Sequence, residues 1–364
     1  MPARGAAHPA PLRRPGAVRR SLGRGALLAL VLPPAVVVTA LVATSIGPVT
    51  TPPLDTAQML LEPLRGPLAS IGIELPERSA AALSVIWSIR LPRVVLALLV
   101  GAALAVAGAV MQAVFRNPLA EPGITGVSSG AAAAAVLLIV TGATATAPWL
   151  LPLGAFVGAV AAVALVQVVA GARGGGGATL LLVGIALNAF LGAVISAAIA
   201  NAPSSDDAMQ AVFWLNGDLT AANWRDVGLA VAPIVVGLVV LVAAVPELNL
   251  FLLGDEQAAT TGVRTVRTRQ VLLALAALVT AAGVAVTGII AFVGLVVPHL
   301  VRLVLGPDHR ILLPVSMAVG AIFLALADLV ARNLLDPVVL QTGTVTAFIG
   351  APVLLVLVLR RAAR

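Results

Sequence analysis

Apolar residues fill this chain in long blocks rather than at alternate positions. Blocks of about 20 residues, the length that crosses a bilayer as a helix, recur from near residue 26 to near residue 359. They predict ten spans, at about 25–46, 93–114, 124–142, 149–171, 179–200, 227–245, 270–290, 292–305, 311–330 and 344–360. The eighth is short and nearly continuous with the seventh. Polar positions gather between the blocks, and no gap could hold a soluble domain with its own core. The longest, Gly47 to Pro92, predicts an external loop with one short surface helix.

Composition agrees with that pattern. The chain is 60% apolar and 10% charged, with mean hydropathy +1.09; a soluble domain carries about a quarter charged residues. The expectation is an all-α integral membrane protein. Cys is absent, which excludes disulfides, thiol chemistry and Cys-ligated metal. Lys is absent too: all 22 basic residues are Arg. A phosphate-binding P-loop needs a Lys, so any ATP hydrolysis belongs to a partner chain.

The isoelectric point of about 11.6 does not signal nucleic acid, because the charge is concentrated. Six Arg lie in the first 24 residues, and without them the net charge falls from +7 to +1 (7 − 6). A basic stretch before an apolar one marks a cytoplasmic N-terminus. We expect a basic leader, 1–24, followed by one transmembrane domain, 25–364. The run Ala26–Ile46 exceeds the apolar core of a signal peptide, about 7–15 residues, and reads as an uncleaved first span.

Ten spans put both termini on the same side. With that side inside, the leader Arg, Arg116, Arg173, Arg264, Arg267, Arg269, Arg302, Arg310, Arg360, Arg361 and Arg364 are cytoplasmic. Only Arg65, Arg78, Arg90, Arg93, Arg225 and Arg332 remain outside. The bias supports this orientation. Ala105-Val106-Ala107-Gly108 recurs as Ala285-Val286-Thr287-Gly288, and Pro118 as Pro298, at a constant offset of 180. An odd number of spans per repeat would invert the second copy, as in many transporters.

Several motifs stand out. Gly101, Gly108 and the Ala around them give the second span a small face for close helix packing. Gln112 needs a hydrogen-bond partner at its depth. Asn117-Pro118-Leu119-Ala120-Glu121-Pro122 forms a turn, its prolines ending one helix and starting the next. Arg173 and Gly174–Gly177 make a loose inner loop, readable as a plain connector. In Pro246–Arg269, Leu248, Leu250, Phe251, Leu252 and Leu253 are apolar, and Gly254 breaks the run. Asp255-Glu256-Gln257-Ala258-Ala259 starts a second short helix with acids in its favoured first turn, and Gly262 ends it. His299 and His309 lack an acid-rich or Cys partner set, so they predict packing rather than metal binding. Asp328 and Arg332 sit four apart on one helix face and can pair.

Together, Val100–Ala131, Gly288–Arg302, Gly306-Pro307-Asp308-His309-Arg310 and Ala327-Asp328-Leu329-Val330-Ala331-Arg332 resemble the permease family of ABC importers for iron chelates and cobalamin. The resemblance covers about Pro52 to Arg361. It implies a type II importer permease fold, split between the seventh and eighth spans. It implies a homodimer or heterodimer of permeases, two ATP-binding cassette ATPase subunits, and an extracytoplasmic substrate-binding lipoprotein. No cofactor and no catalytic residue are implied. The family's paired coupling helices correspond to Leu250, Leu252, Leu253, Gly254, Asp255, Glu256, Ala258, Ala259 and Gly262. Binding-protein docking corresponds to Arg90, Arg93 and Arg332. The pathway and gate correspond to Gln112, Asn117, Pro118, Gly176, Gly177, Ala178 and Asn188. The family's cobalamin permease carries hydroxyl residues in the inner loop where Gly177 and Ala178 stand here, which weakens a side-chain gate. Gln341-Thr342 replaces the family's Pro-Val before the last span. Ferric siderophore is the family's commonest cargo, with heme and cobalamin behind it. An ion-coupled secondary transporter would keep acids deep in its spans; here only Asp328 lies in one, near its end.

Overall fold

In the computed structural model, residues 15–47, 50–172, 177–335 and 337–362 are described, apart from the side chains of 15–27, 29, 255–256, 358 and 360–362. Ten long helices account for the predicted spans: α1 (Pro15–Ser45), α2 (Leu91–Val114), α3 (Val127–Val140), α4 (Leu150–Gly171), α5 (Gly177–Ala200), α6 (Trp224–Ala243), α7 (Thr265–Thr287), α8 (Val293–Leu305), α9 (His309–Asn333) and α10 (Thr342–Ala362). Among the described residues, six helices are long and apolar enough to cross a membrane, and apolar segments of α1, α3, α8 and α10 are shorter. Helix α1 starts within the expected leader.

The segment before α2 is more ordered than one short surface helix. Helical turns occupy Pro53–Leu60, Glu62–Leu64 and Arg65–Ser70, and α2 is extended backward through Ala80–Ser84 and a π-helical turn, Val85–Arg90. A further helix, Ser205–Leu215, lies between α5 and α6 where none was predicted. Ser204 caps it by accepting the Asp207 N–H, and Asp206 and Asp207 occupy its first turn. Asn223 and Asp226 form a reciprocal cap at the start of α6.

Helix α2 is the axis of the bundle: its apolar stretch is 83% buried, against 11% for α5. It packs mainly on α9, α7 and α8, whereas α7 packs mainly on α2, α6 and α4. Each helix of the proposed repeat pair therefore lies against helices of the other half. Glycines make these approaches possible. A Cβ on Gly101 would overlap the Gly320 carbonyl, one on Gly108 the Gly294 carbonyl, and one on Gly130 the Gly158 carbonyl. In lipid, where burying apolar surface does not drive helices together, such backbone contact contributes directly to association.

Helices α7 and α8 are separated by an unwound stretch, residues 288–292. The Ser205–Leu215 helix feeds a turn that covers it: the Asp218 N–H donates to the Thr287 carbonyl, and the Gly343 N–H at the start of α10 donates to the Gly217 carbonyl. Irregular backbone at membrane depth persists only when protein or a cavity surrounds it.

Candidate functional site

One end of the bundle gathers the turn between α2 and α3, the segment between α6 and α7, and the turn between α8 and α9. The segment between α6 and α7 folds as two short helices, Val245–Phe251 and Asp255–Thr260. Leu248 and Phe251 anchor the first, 0% and 1% exposed, while Leu252 and Leu253 remain 38% and 55% exposed. Leu250 is half-buried, Ala258 is buried and Ala259 faces out. Gly254 has φ +106 and Gly262 φ +88, so the two breaks fall where the glycines stand. The side chains of Asp255 and Glu256 lie outside the described residues. The Arg269 guanidinium sits 5.8 Å from the Phe251 ring centre, a cation–π contact that ties this segment to α7.

The same segment is locked to α9 by an amide that sequence reasoning missed. Asn249 Nδ2 donates to Asp308 Oδ1 at 2.9 Å. Asn249 Oδ1 accepts from the His309 backbone N–H and from His309 Nδ1, both at 2.9 Å. Asp308 also caps α9 through the Arg310 N–H. Burial tends to raise the Asp308 carboxyl, but the Arg310 N–H and the Asn249 amide hold it below its ordinary range. The only signal in the sequence was an Asn flanked by Leu248 and Leu250 in a short helix. His309 thus has a structural role, and no group of three His, Cys, Asp or Glu among the described residues could hold a metal.

The turn after α2 folds back under the bundle. Asn117 Oδ1 accepts the Leu119 N–H, and the Ala120 N–H donates to the Asn117 carbonyl, with Pro118 half-buried between them. A Cβ on Gly254 would touch the Arg116 guanidinium at 3.4 Å, so this turn lies beside the helix pair. Burial pushes the Glu121 carboxyl up. Gln112 is 1% exposed, and its Nε2 donates to the Leu295 carbonyl at 3.0 Å, joining α2 to the start of α8. Asn188 is half-buried: its Nδ2 donates to the Gly123 carbonyl at 3.2 Å, and its Oδ1 accepts from Ser129. Gly184 lies against the Ile124 carbonyl one turn earlier, so α5 is seated on this turn. Gly177 packs near the Phe115 ring and Ala178 is exposed. Gly176 and Arg173 lie outside the described residues.

At the other end stand the three arginines that the family resemblance assigns to docking. Arg90, Arg93 and Arg332 are only 6%, 7% and 7% exposed. Arg93 grips Asp328 with two nitrogens, at 3.0 and 2.8 Å. Arg332 approaches the same carboxylate at 3.6 Å and donates to the Ala43 carbonyl. Thr342 Oγ1 donates to Asp328 at 3.0 Å. Arg90 donates to the Thr44 and Ser45 carbonyls at 3.2 and 3.0 Å, at the C-terminal end of α1. The physical reason is the end of α1: its last carbonyls lack helical partners, and two of these arginines satisfy carbonyls there.

An all-helical membrane chain that displays a small, partly apolar helix pair at one end, and carries no nucleotide-binding motif, is a transport permease in architecture. The comparisons agree. The model of the FecCD transport family matches residues 35–360, and the chain belongs to that family. It is 48% identical over 286 residues to the cobalamin import system permease protein BtuC of Halobacterium salinarum, covering 77% of this chain and 74% of that one. It is 42% identical to the hemin transport system permease protein HmuU of Yersinia pestis, covering 76% and 84%. It is also 42% identical to the Fe(3+) dicitrate transport system permease protein FecD of Escherichia coli, covering 74% and 83%. A solved structure described as an inward-facing conformation of an ABC transporter, assigned to the metal-chelate type, superposes with TM-score 0.78 at 31% identity, covering 90% of this chain and 97% of that one. The chain is therefore a multi-pass plasma-membrane permease of an ABC importer.

Proposed function

We propose that this permease, paired with an identical or closely related copy, moves a bulky metal chelate inward on ATP hydrolysed by two separate cassette subunits. Both termini face the cytoplasm in this reading, with a basic leader ahead of a single membrane domain. The observation that carries it is the helix pair at 245–260, with Leu252 and Leu253 exposed on an anchored base. An exposed apolar pair on a rigid support suits a partner's groove better than water. Replacing both residues by Asp should abolish co-purification of the ATPase while membrane insertion persists. A stable complex with the double variant would count against the docking site.

An extracytoplasmic binding lipoprotein supplies the affinity, and the passage lies between the two permeases beside the poorly buried α5. Arg90, Arg93 and Arg332 organise the outer face by fixing α1, α2 and α9, rather than by meeting the binding protein directly. For the cargo we favour a ferric chelate, in line with the metal-chelate theme of several relatives. A corrinoid is the second reading, favoured by the 48% identical cobalamin permease. Uptake of radiolabelled ferric siderophores, hemin and cobalamin by cells expressing the whole system separates them. Uptake of cobalamin alone would replace the first reading by the second.

A further inference from the structure

A second feature has no part in transport as proposed above. Helices α1, α2 and α9 enclose an open cleft of about 930 Å³. Leu32 and Val36 of α1, Leu98 and Leu99 of α2, and Val315 and Ala318 of α9 form much of its wall. Arg310, at the first turn of α9, is the charged residue in that lining, and it is exposed. Pro33 and Pro314 border the cleft, on α1 and α9. Helix α1 is fastened to α9 near the far end of both, where Arg332 donates to the Ala43 carbonyl. The cleft opens where that fastening is absent.

We propose that this cleft binds one anionic phospholipid, with one of its two acyl chains between α1 and α9 and its phosphate at Arg310. Three observations select this occupant. The lining along α9 runs from Arg310 to Ala321, eleven steps of about 1.5 Å, or about 16 Å. That is about the depth of one leaflet in a hydrocarbon core about 30 Å thick. Among the described residues, the wall is almost wholly apolar apart from Arg310. The cation stands at the helix end, where a headgroup would lie, and a guanidinium fork matches phosphate oxygens. The Asp308 carboxylate, two residues earlier, attracts the Arg310 guanidinium, so the lipid phosphate competes with it for that cation. Assignment to the inner leaflet rests on the proposed orientation; the cleft and its ligand do not.

Native mass spectrometry of the full chain, released from detergent with added phosphatidylglycerol or phosphatidylcholine, tests this. One phosphatidylglycerol per chain should be retained, about fivefold more than phosphatidylcholine. Arg310→Gln should erase that preference. Ala318→Trp, and Val36→Phe from the opposite wall, should displace either lipid, with thermal unfolding confirming that each variant is folded. Three results would overturn the proposal. The first is an unchanged preference in Arg310→Gln. The second is full lipid retention in a folded filling variant. The third is a subunit–subunit crosslink from a photoreactive residue at position 32, which would assign the cleft to a second copy.

Discussion

Asp328 is where single residues matter most. One carboxylate receives Arg93, Arg332 and Thr342, and it is 1% exposed. Removing one partner from a buried ionic group leaves uncompensated charge and costs about 3–5 kcal/mol. Asp328→Ala should therefore lower the thermal stability of the purified permease sharply, whereas Arg225→Ala, at an exposed arginine outside that network, should change it little. Fluorescence-detected unfolding in detergent measures both. Asp328 and Arg332 were legible as a pair from their spacing. The burial of Arg90 and Arg93 was not: Arg90 depends on the end of α1, more than 40 residues away, and Arg93 on Asp328, 235 residues away. Arginines that break the inside–outside charge bias invited an external role. Within this chain, Arg90 and Arg332 bond carbonyls at the end of α1 and Arg93 bonds Asp328.

Helices were easier to read than side-chain roles. Length and apolarity recover most of the spans, because lipid demands that each hide its own backbone; the division of α7 from α8 rested on the family resemblance as well. Two elements escaped. The backward extension of α2 to Ala80 runs through a mixed polar stretch with a π-helical turn, which gives no clean apolar block. The Ser205–Leu215 helix is too short to span and is betrayed only by its Ser204 cap and acidic first turn. At this scale the glycine crossings and the Asn249 lock are the testable features. Gly108→Val places side-chain atoms against the Gly294 backbone, so its cost should exceed the usual 1–3 kcal/mol or so of overpacking. Folded yield by size-exclusion chromatography should collapse, while Gly192→Ala in α5, which meets nothing within 4 Å, should be tolerated. Asn249→Ala removes three hydrogen bonds between the first short helix and the start of α9. Membrane insertion should survive, but substrate moved per ATP hydrolysed should fall severalfold in reconstituted transporter. An unchanged ratio would mean that the lock does not transmit force.

Across the whole molecule, α2 and α7 each pack into the opposite half, and α5 is left at the edge with little of its surface covered by its own chain. A subunit with a rigid exchanged centre and an uncovered edge helix suits a pair of permeases that rock against one another, driven at the 245–260 helices. This reading assigns the energy to a partner ATPase. Uptake into proteoliposomes holding the permease and ATPase, with binding protein outside and ATP inside, tests that assignment most directly when a protonophore is added. The account predicts that uptake continues at an unchanged rate while ATP lasts and stops when ATP is withheld. Uptake that ceases on collapse of the gradient, with ATP undiminished, would contradict it.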